Sequence, residues 1–186
     1  MVPVQNSRVN TDWMLSKALN NFAFGNANVK GVYYDEENRR HLNSIRNAYA
    51  ELAIDLASKN RKEEARKVLD KVDQMMLDEN FPYGMVSRGN MHNKNSLLFL
   101  EACLMADDKK LAEKVMSSVK KDLLQQVKFC NTLSGDKADQ MADEKRMAES
   151  YLKGLEQMEA VYNPKIQIPG KMMAADSATN LPAPNK

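Results

Sequence analysis

The 186 residues are 43% hydrophobic and 28% charged, with 27 basic against 25 acidic side chains and a formal charge of +2. That balance suits one soluble globular domain burying roughly 70% of its unfolded surface, and it excludes a protein living on phosphate contacts, hence nucleic acid as a partner. No apolar run approaches the about 20 residues of a membrane-spanning helix, and residues 1–6 have neither the basic nor the apolar region of an export signal.

Residues 1–9 hold no hydrophobic period and read as an extended N-terminal segment. Asn10 or Thr11 can cap a first helix through a side-chain oxygen. Met14, Leu15, Ala18, Leu19 and Phe22 then repeat at helical spacing, with Gly25 as its stop. A loop follows over 26–34. Asp35 caps a long second helix with Glu36 and Glu37 in the first turn, where they interact favourably with the helix dipole. Its stripe is Leu42, Ile45, Tyr49, Leu52, Ala53 and Leu56, and Lys59-Asn60 closes it.

The spacing predicts a third helix over 62–77, with Ala65, Val68, Leu69, Val72, Met75 and Met76 on one face. So short a gap sends it back antiparallel along the second. Residues 78–95 are rich in Gly, Pro and Asn and read as an irregular connection. A fourth helix is expected over 96–106, capped by Asn95 or Asn93. Asp107-Asp108 makes a tight turn into a fifth over 109–130, striped by Leu111, Ala112, Val115, Met116, Val119, Leu123 and Val127. Ser134-Gly135-Asp136 breaks the chain before a last helix over 137–162, ended by Asn163-Pro164. The domain is thus expected to span 10–163, and 164–186, small, polar and proline-containing, to be a flexible tail.

The second and third helices can be set against the fourth and fifth. Ala53 and Ala65 flank the turn at Asn60, while Tyr49, Leu52, Leu56, Leu69 and Val72 fill interlocking positions. Phe99, Cys103 and Ala112 return at matching offsets with Asp107 at the turn. Small residues that let two helices approach, with large ones plugging the groove, resemble a tetratricopeptide repeat. Leu100 departs from that pattern where a small residue is wanted. The interval from Ala65 to Ala112 exceeds the about 34 residues of a regular repeat, and the excess falls in the Pro/Gly-rich connection. The expected fold is all-α: antiparallel helical hairpins of the α-α superhelix type, with an N-terminal helix and a C-terminal capping helix.

Three stretches carry a wider likeness: Thr11-Asp12-Trp13-Met14 through Asn20-Asn21-Phe22, Val32-Tyr33-Tyr34-Asp35-Glu36-Glu37-Asn38-Arg39-Arg40, and Glu63-Glu64-Ala65-Arg66-Lys67-Val68-Leu69-Asp70. In this order they resemble the soluble C-terminal region of a bacterial multi-pass membrane family of protein-O-mannosyltransferase-like proteins. The likeness covers residues 2–127. It implies an extracytoplasmic, periplasmic tail domain separated from its membrane-embedded catalytic part, and a start at Val2-Pro3-Val4 fits an excised domain. The acidic residues that carry transferase chemistry in that kind of enzyme have no counterpart here, so no catalytic residue is carried over.

Other chemistry is sparse. His41 and His92 lie in different elements and neither belongs to a His-Glu-x-x-His pattern. His41 reads as a solvated surface residue and His92 as a loop residue, with a ligand role as its alternative. Cys103 and Cys130 have no metal spacing and no framework of partners, which reads as unpaired core cysteine. Gly25 and Gly31 lack the Lys-Ser/Thr of a phosphate loop. Asp107-Asp108 and Glu63-Glu64 read as solvated helix faces rather than acid–base pairs. No cofactor or metal is expected, and the chain is not expected to be an enzyme.

The candidate residues are therefore for binding. Arg39 and Arg40 either pair locally with Glu36 or present their forks to a partner's carboxylate. Trp13, Phe24, Tyr33, Tyr34, Phe81 and Tyr83 either form a recognition or sugar-stacking patch or plug the core. Tyr33, Tyr34 and Tyr83 join Arg39 and Arg40 as candidate partner contacts. The 13 methionines are mostly core filling, with some able to line an adaptable groove. Asp176-Ser177-Ala178 resembles the acceptor of bacterial periplasmic O-glycosylation, making Ser177 a candidate modification site. The expected function is a scaffolding or interaction module that holds an extended or helical protein segment, including one from the membrane part of its own parent chain. The alternatives are acceptor recognition for a protein O-glycosyltransferase and a standalone helical adaptor.

Overall fold

A computed structural model describes residues 10–162. The extended segment 1–9, the tail 164–186 with Ser177, and the stop at Asn163-Pro164 all lie outside the described residues. Among those described every regular element is helical: α1 (Thr11–Asn20), α2 (Glu36–Ser58), α3 (Lys62–Met75), α4 (Met91–Met105), α5 (Lys109–Cys130), α6 (Asp136–Gln140) and α7 (Ala142–Tyr162), with a 3-10 turn at Arg88–Asn90 before α4. No described helix is long and apolar enough to cross a membrane.

The two tight turns share one construction. Asn60 and Asp107 take left-handed backbone angles, φ 61° and 60°. The next N–H returns to a carbonyl five residues back, Arg61 to Leu56 at 2.9 Å and Asp108 to Cys103 at 2.9 Å. This closure satisfies helix-end carbonyls that would otherwise be orphaned. Asp108 then caps α5 by accepting from the Leu111 N–H at 3.1 Å. Either side of these turns, Leu52, Leu56, Ala65, Val68 and Val72 and their counterparts Phe99, Cys103, Ala112, Val115 and Val119 are all fully buried or nearly so.

α2 packs against both α3 and α4, while α4 also meets α5 and α7, and α5 meets α7. α4 is therefore the central helix, buried on most sides. It begins at Met91, five residues ahead of the expected start at Ser96, so His92 and Asn93 belong to its first turn and not to a loop. The reason is a buried polar cluster that reads like a loop in sequence. The Asn93 amide donates to Asn90 Oδ1 at 2.8 Å and to Asp122 Oδ2 at 2.7 Å, and Gln126 of α5 bonds both Asn90 and Asp122. With partners built in, these groups can be buried without penalty.

Other expectations need adjusting at their ends. α1 stops at Asn20, short of Gly25, and Phe22 lies beyond the helix, half-exposed with its ring edge-on to Tyr49 at 6.1 Å. α3 ends at Met75 rather than Leu77. The expected single last helix is two, broken at Met141. No residue of α6 is buried.

α1 is tied to the end of α2 by Thr11, Asp55 and Lys59. The Thr11 hydroxyl donates to Asp55, and the Lys59 ammonium donates to both Thr11 and Asp55. Tyr49 of α2 donates its hydroxyl to the Ala18 carbonyl at 2.6 Å, and burial pushes that phenol up to about 12.

Candidate functional site: a groove between two helix starts

The α3–α4 connection is held from beneath by a residue that sequence reasoning passed over. Arg46 of α2 is completely buried. Its guanidinium donates to the Pro82 carbonyl at 3.1 Å and the Phe81 carbonyl at 2.8 Å. It also lies 4.3 Å from the Phe81 ring centroid and 4.4 Å from that of Tyr83. Burial pulls its pKa down to about 10, opposed by Tyr83, Asp78 and Asp73, so it stays charged at neutral pH. The available signal was its position: four residues after Leu42 and three before Tyr49, Arg46 interrupts an apolar face. A charge there needs a buried partner.

Tyr83 is buried to 1% exposure, and its hydroxyl donates to Asp73 at 2.9 Å, where Lys114 also binds at 2.6 Å. Ser96 donates to the Tyr83 carbonyl at 2.6 Å. Tyr34 is buried as well and donates to the Gly25 carbonyl at 2.6 Å. Both side chains are buried, so Tyr34 and Tyr83 are corrected from partner contacts to loop plugs. Phe24 and Phe81 plug in the same way, whereas Trp13 and Tyr33 stay exposed. Each plug supplies the packing that its Gly- and Asn-rich loop cannot supply for itself.

Above this anchored connection a groove of about 750 Å³ opens between the starts of α2 and α4. Glu36, Arg39, Arg40 and Asn43 line one wall, and Met85, Val86, Ser87, Arg88, Met91 and His92 the other. The first four recur at three- and four-residue steps, which places them on one face of α2. α2 has its end compensated, since Asp35 accepts from the Asn38 N–H at 2.8 Å and Glu36 and Glu37 follow. α4 has no acidic residue in its first turn, leaving the positive end of its dipole on the groove.

The guanidiniums differ. Arg40 is engaged locally, 3.9 Å from Glu36 and 3.3 Å from Glu37. His41 beside it is also exposed, 3.6 Å from Glu37. Arg39 lies 5.6 Å from the centroid of the exposed Tyr33 ring. Its Nε and the Oδ1 of Asn43 are both buried without a hydrogen-bond partner among the described residues. Arg88 has no ion-pair partner among them either. Thus Arg39, Arg40 and Tyr33 do gather at this end of α2, and Arg88 and Asn43 join them without any sequence signal.

His92 is not a further cation. Its Nε2 lies 2.7 Å from the Pro82 carbonyl and its ring meets Phe81 edge-on at 4.9 Å. Burial, with the nearby Arg46 charge, lowers its pKa to about 4, so the imidazole is neutral and Nε2 carries the donated proton. Cys103 is buried and its thiol is pushed well up by that burial, making it a poor nucleophile. Cys130 is also a buried free thiol. Among the described residues, no three His, Cys, Asp or Glu side chains gather at metal-binding spacing.

Chemically, the groove offers the guanidiniums of Arg39, Arg40 and Arg88 beside the Glu36 carboxylate, with Met85, Val86 and Met91 as apolar lining. That set suits recognition of a polar, anionic chain rather than bond breaking. Comparison with protein-family models, with curated proteins and with solved structures finds no match.

Proposed function

We propose that this chain is a non-catalytic interaction module of tetratricopeptide-like hairpins whose groove between α2 and α4 holds a segment of a partner protein. The carrying observation is the groove itself, about 750 Å³ with Arg39, Asn43 and Arg88 along it, Arg88 without an ion-pair partner among the described residues. The matched turns at Asn60 and Asp107 support the repeat, since two hairpins closed alike stack their first helices, α2 and α4, side by side. The polar groups on its walls favour binding over catalysis. Guanidiniums carry no labile proton near neutrality, and His92 is neutral and already bonded.

The likeness of residues 2–127 to the tail of protein-O-mannosyltransferase-like membrane proteins supports an extracytoplasmic setting, with acceptor recognition as one use of the groove. Two measurements test this. An antibody to the chain should detect a native polypeptide larger than 21.1 kDa in membranes; a soluble band of that mass would leave an independent adaptor. Affinity purification should recover at least one protein with the wild type that falls about tenfold with an R39Q/R88Q double variant. Equal recovery of every protein would overturn the groove as the binding surface.

A further inference from the structure

We propose that this groove receives a phosphorylated side chain of the partner segment, its phosphoryl group held by the guanidiniums of Arg39 and Arg88. The proposal rests on the interaction-module reading and names the group that the module recognises.

The arginines single out the place. Arg40 pairs with Glu36 and Glu37, Arg61 with Asp12 and Glu64, Arg66 with Glu63, and Arg146 with Asp143. Arg46 donates to two carbonyls. Of the arginines in the described residues, only Arg39 and Arg88 make no side-chain hydrogen bond or ion pair among those residues. They belong to segments far apart in the chain, yet the fold sets both along one groove.

Charge then decides the class of ligand. Among the described residues that line the groove, Glu36 is the only acid, and Arg40 at 3.9 Å offsets it. The charges of Arg39 and Arg88 are left uncompensated. Burial and then the Arg46 and Arg39 charges lower the His92 pKa, so the field of Arg39 reaches the α4 wall. A carboxylate or a phosphodiester carries one charge and compensates one member of the pair. A phosphomonoester carries about −1.5 to −2 near neutrality, with three strong acceptor oxygens, enough for two forks.

The α4 wall adds donors of the same sign. Val86, Ser87 and Arg88 line it, and their N–H groups have no hydrogen-bond partner among the described residues. Free phosphate would occupy a small part of about 750 Å³ and leave Met85, Val86 and Met91 uncovered. A phosphoryl group carried on a chain uses both surfaces.

Solution NMR on the isotope-labelled full chain tests this at constant ionic strength and neutral pH. The probes are N-acetyl-O-phosphoserine methylamide, N-acetylaspartate methylamide and inorganic phosphate. The phosphoserine probe should give saturable shifts at the Val86, Ser87 and Arg88 amides and at the Arg39 and Arg88 Nε–H groups. It should bind about tenfold more tightly than the aspartate probe, and severalfold more tightly than inorganic phosphate. R39Q and R88Q should each weaken it about tenfold, whereas R146Q, which removes the same charge outside the groove, should change it less than about twofold. Unchanged amide dispersion elsewhere shows that the variants fold. Equal binding of the aspartate probe would overturn the phosphoryl assignment in favour of an acidic side chain. Equal binding of inorganic phosphate would overturn the phosphorylated segment in favour of a free anion. No saturable shift with any probe, or shifts indifferent to R39Q and R88Q, would overturn the site. The interaction-module reading falls separately, when R39Q/R88Q recovers the same proteins as wild type.

Discussion

Arg46 holds Phe81 twice, donating at 2.8 Å to its carbonyl while its guanidinium lies 4.3 Å from the centroid of its ring. One buried cation on α2 thus fixes both the path and the side chain of the α3–α4 connection, which forms a wall of the groove. Replacing Arg46 by Ala leaves the Phe81 and Pro82 carbonyls without their donor and opens a space between two rings. The expected loss is about 3–5 kcal/mol of unfolding free energy. Arg46→Lys, keeping the charge but not the planar fork, should lose about half as much. Urea denaturation of the two variants checks the order.

Gly84 lies so close to α5 that a Cβ there would stand 2.2 Å from the Ser118 carbonyl oxygen, and its N–H donates to Ser118 Oγ at 2.8 Å. The obstacle is backbone, which cannot swing aside as a side chain can. Gly84→Ala should cost about 2–4 kcal/mol, whereas Ser118→Ala, losing one hydrogen bond, should cost about 1 kcal/mol. Chemical denaturation separates them.

His92 predicts how stability responds to acid. Its pKa is about 4 in the fold against an ordinary 6.5, so between these values the unfolded chain binds the proton and the native chain does not. Stability from this group is complete above pH 6.5 and is lost as pH falls toward 4, by up to roughly 3 kcal/mol. His92→Gln keeps a donor for the Pro82 carbonyl and does not titrate. Its stability should therefore fall less between pH 7 and 4.5 than that of wild type, as followed by thermal melts.

The two left-handed turn residues should behave alike. At φ 61° and 60°, Asn60→Ala and Asp107→Ala should each cost about 1 kcal/mol, while the Gly variants should be neutral or slightly stabilising. A large disparity between the two turns would argue against their being copies of one design.

Where apolar stripes ran uninterrupted between clear turn residues, sequence and structure agree. α5 occupies 109–130 as expected, bounded by Asp107-Asp108, and α2 starts after Asp35. The pattern misled where burial was polar. Asn90, His92, Asn93 and Ser96 form the buried approach to α4 and its first turns, yet such residues ordinarily mark a loop. Tyr34 and Tyr83 were misplaced for the opposite reason, since an aromatic in a loop has no periodicity to say which way it points. Arg39 and Arg40 were legible as candidates from their place beside Glu36 and Glu37, and Tyr33 as a loop aromatic. Arg88 and Asn43 were not, because only the folding of the connection over α2 brings the first near the second.

The central claim is that the groove beside Arg39 and Arg88 is occupied by a partner segment, and photocrosslinking tests it most directly. A photoreactive residue placed at exposed Val86, on the groove wall, is compared in native cells with one at exposed Lys62, near the far end of α2. The expected result is a discrete adduct from position 86 that is absent from position 62 and disappears with R39Q/R88Q. Adducts of equal yield from both positions, or an adduct at 86 indifferent to the loss of both guanidiniums, would contradict the account.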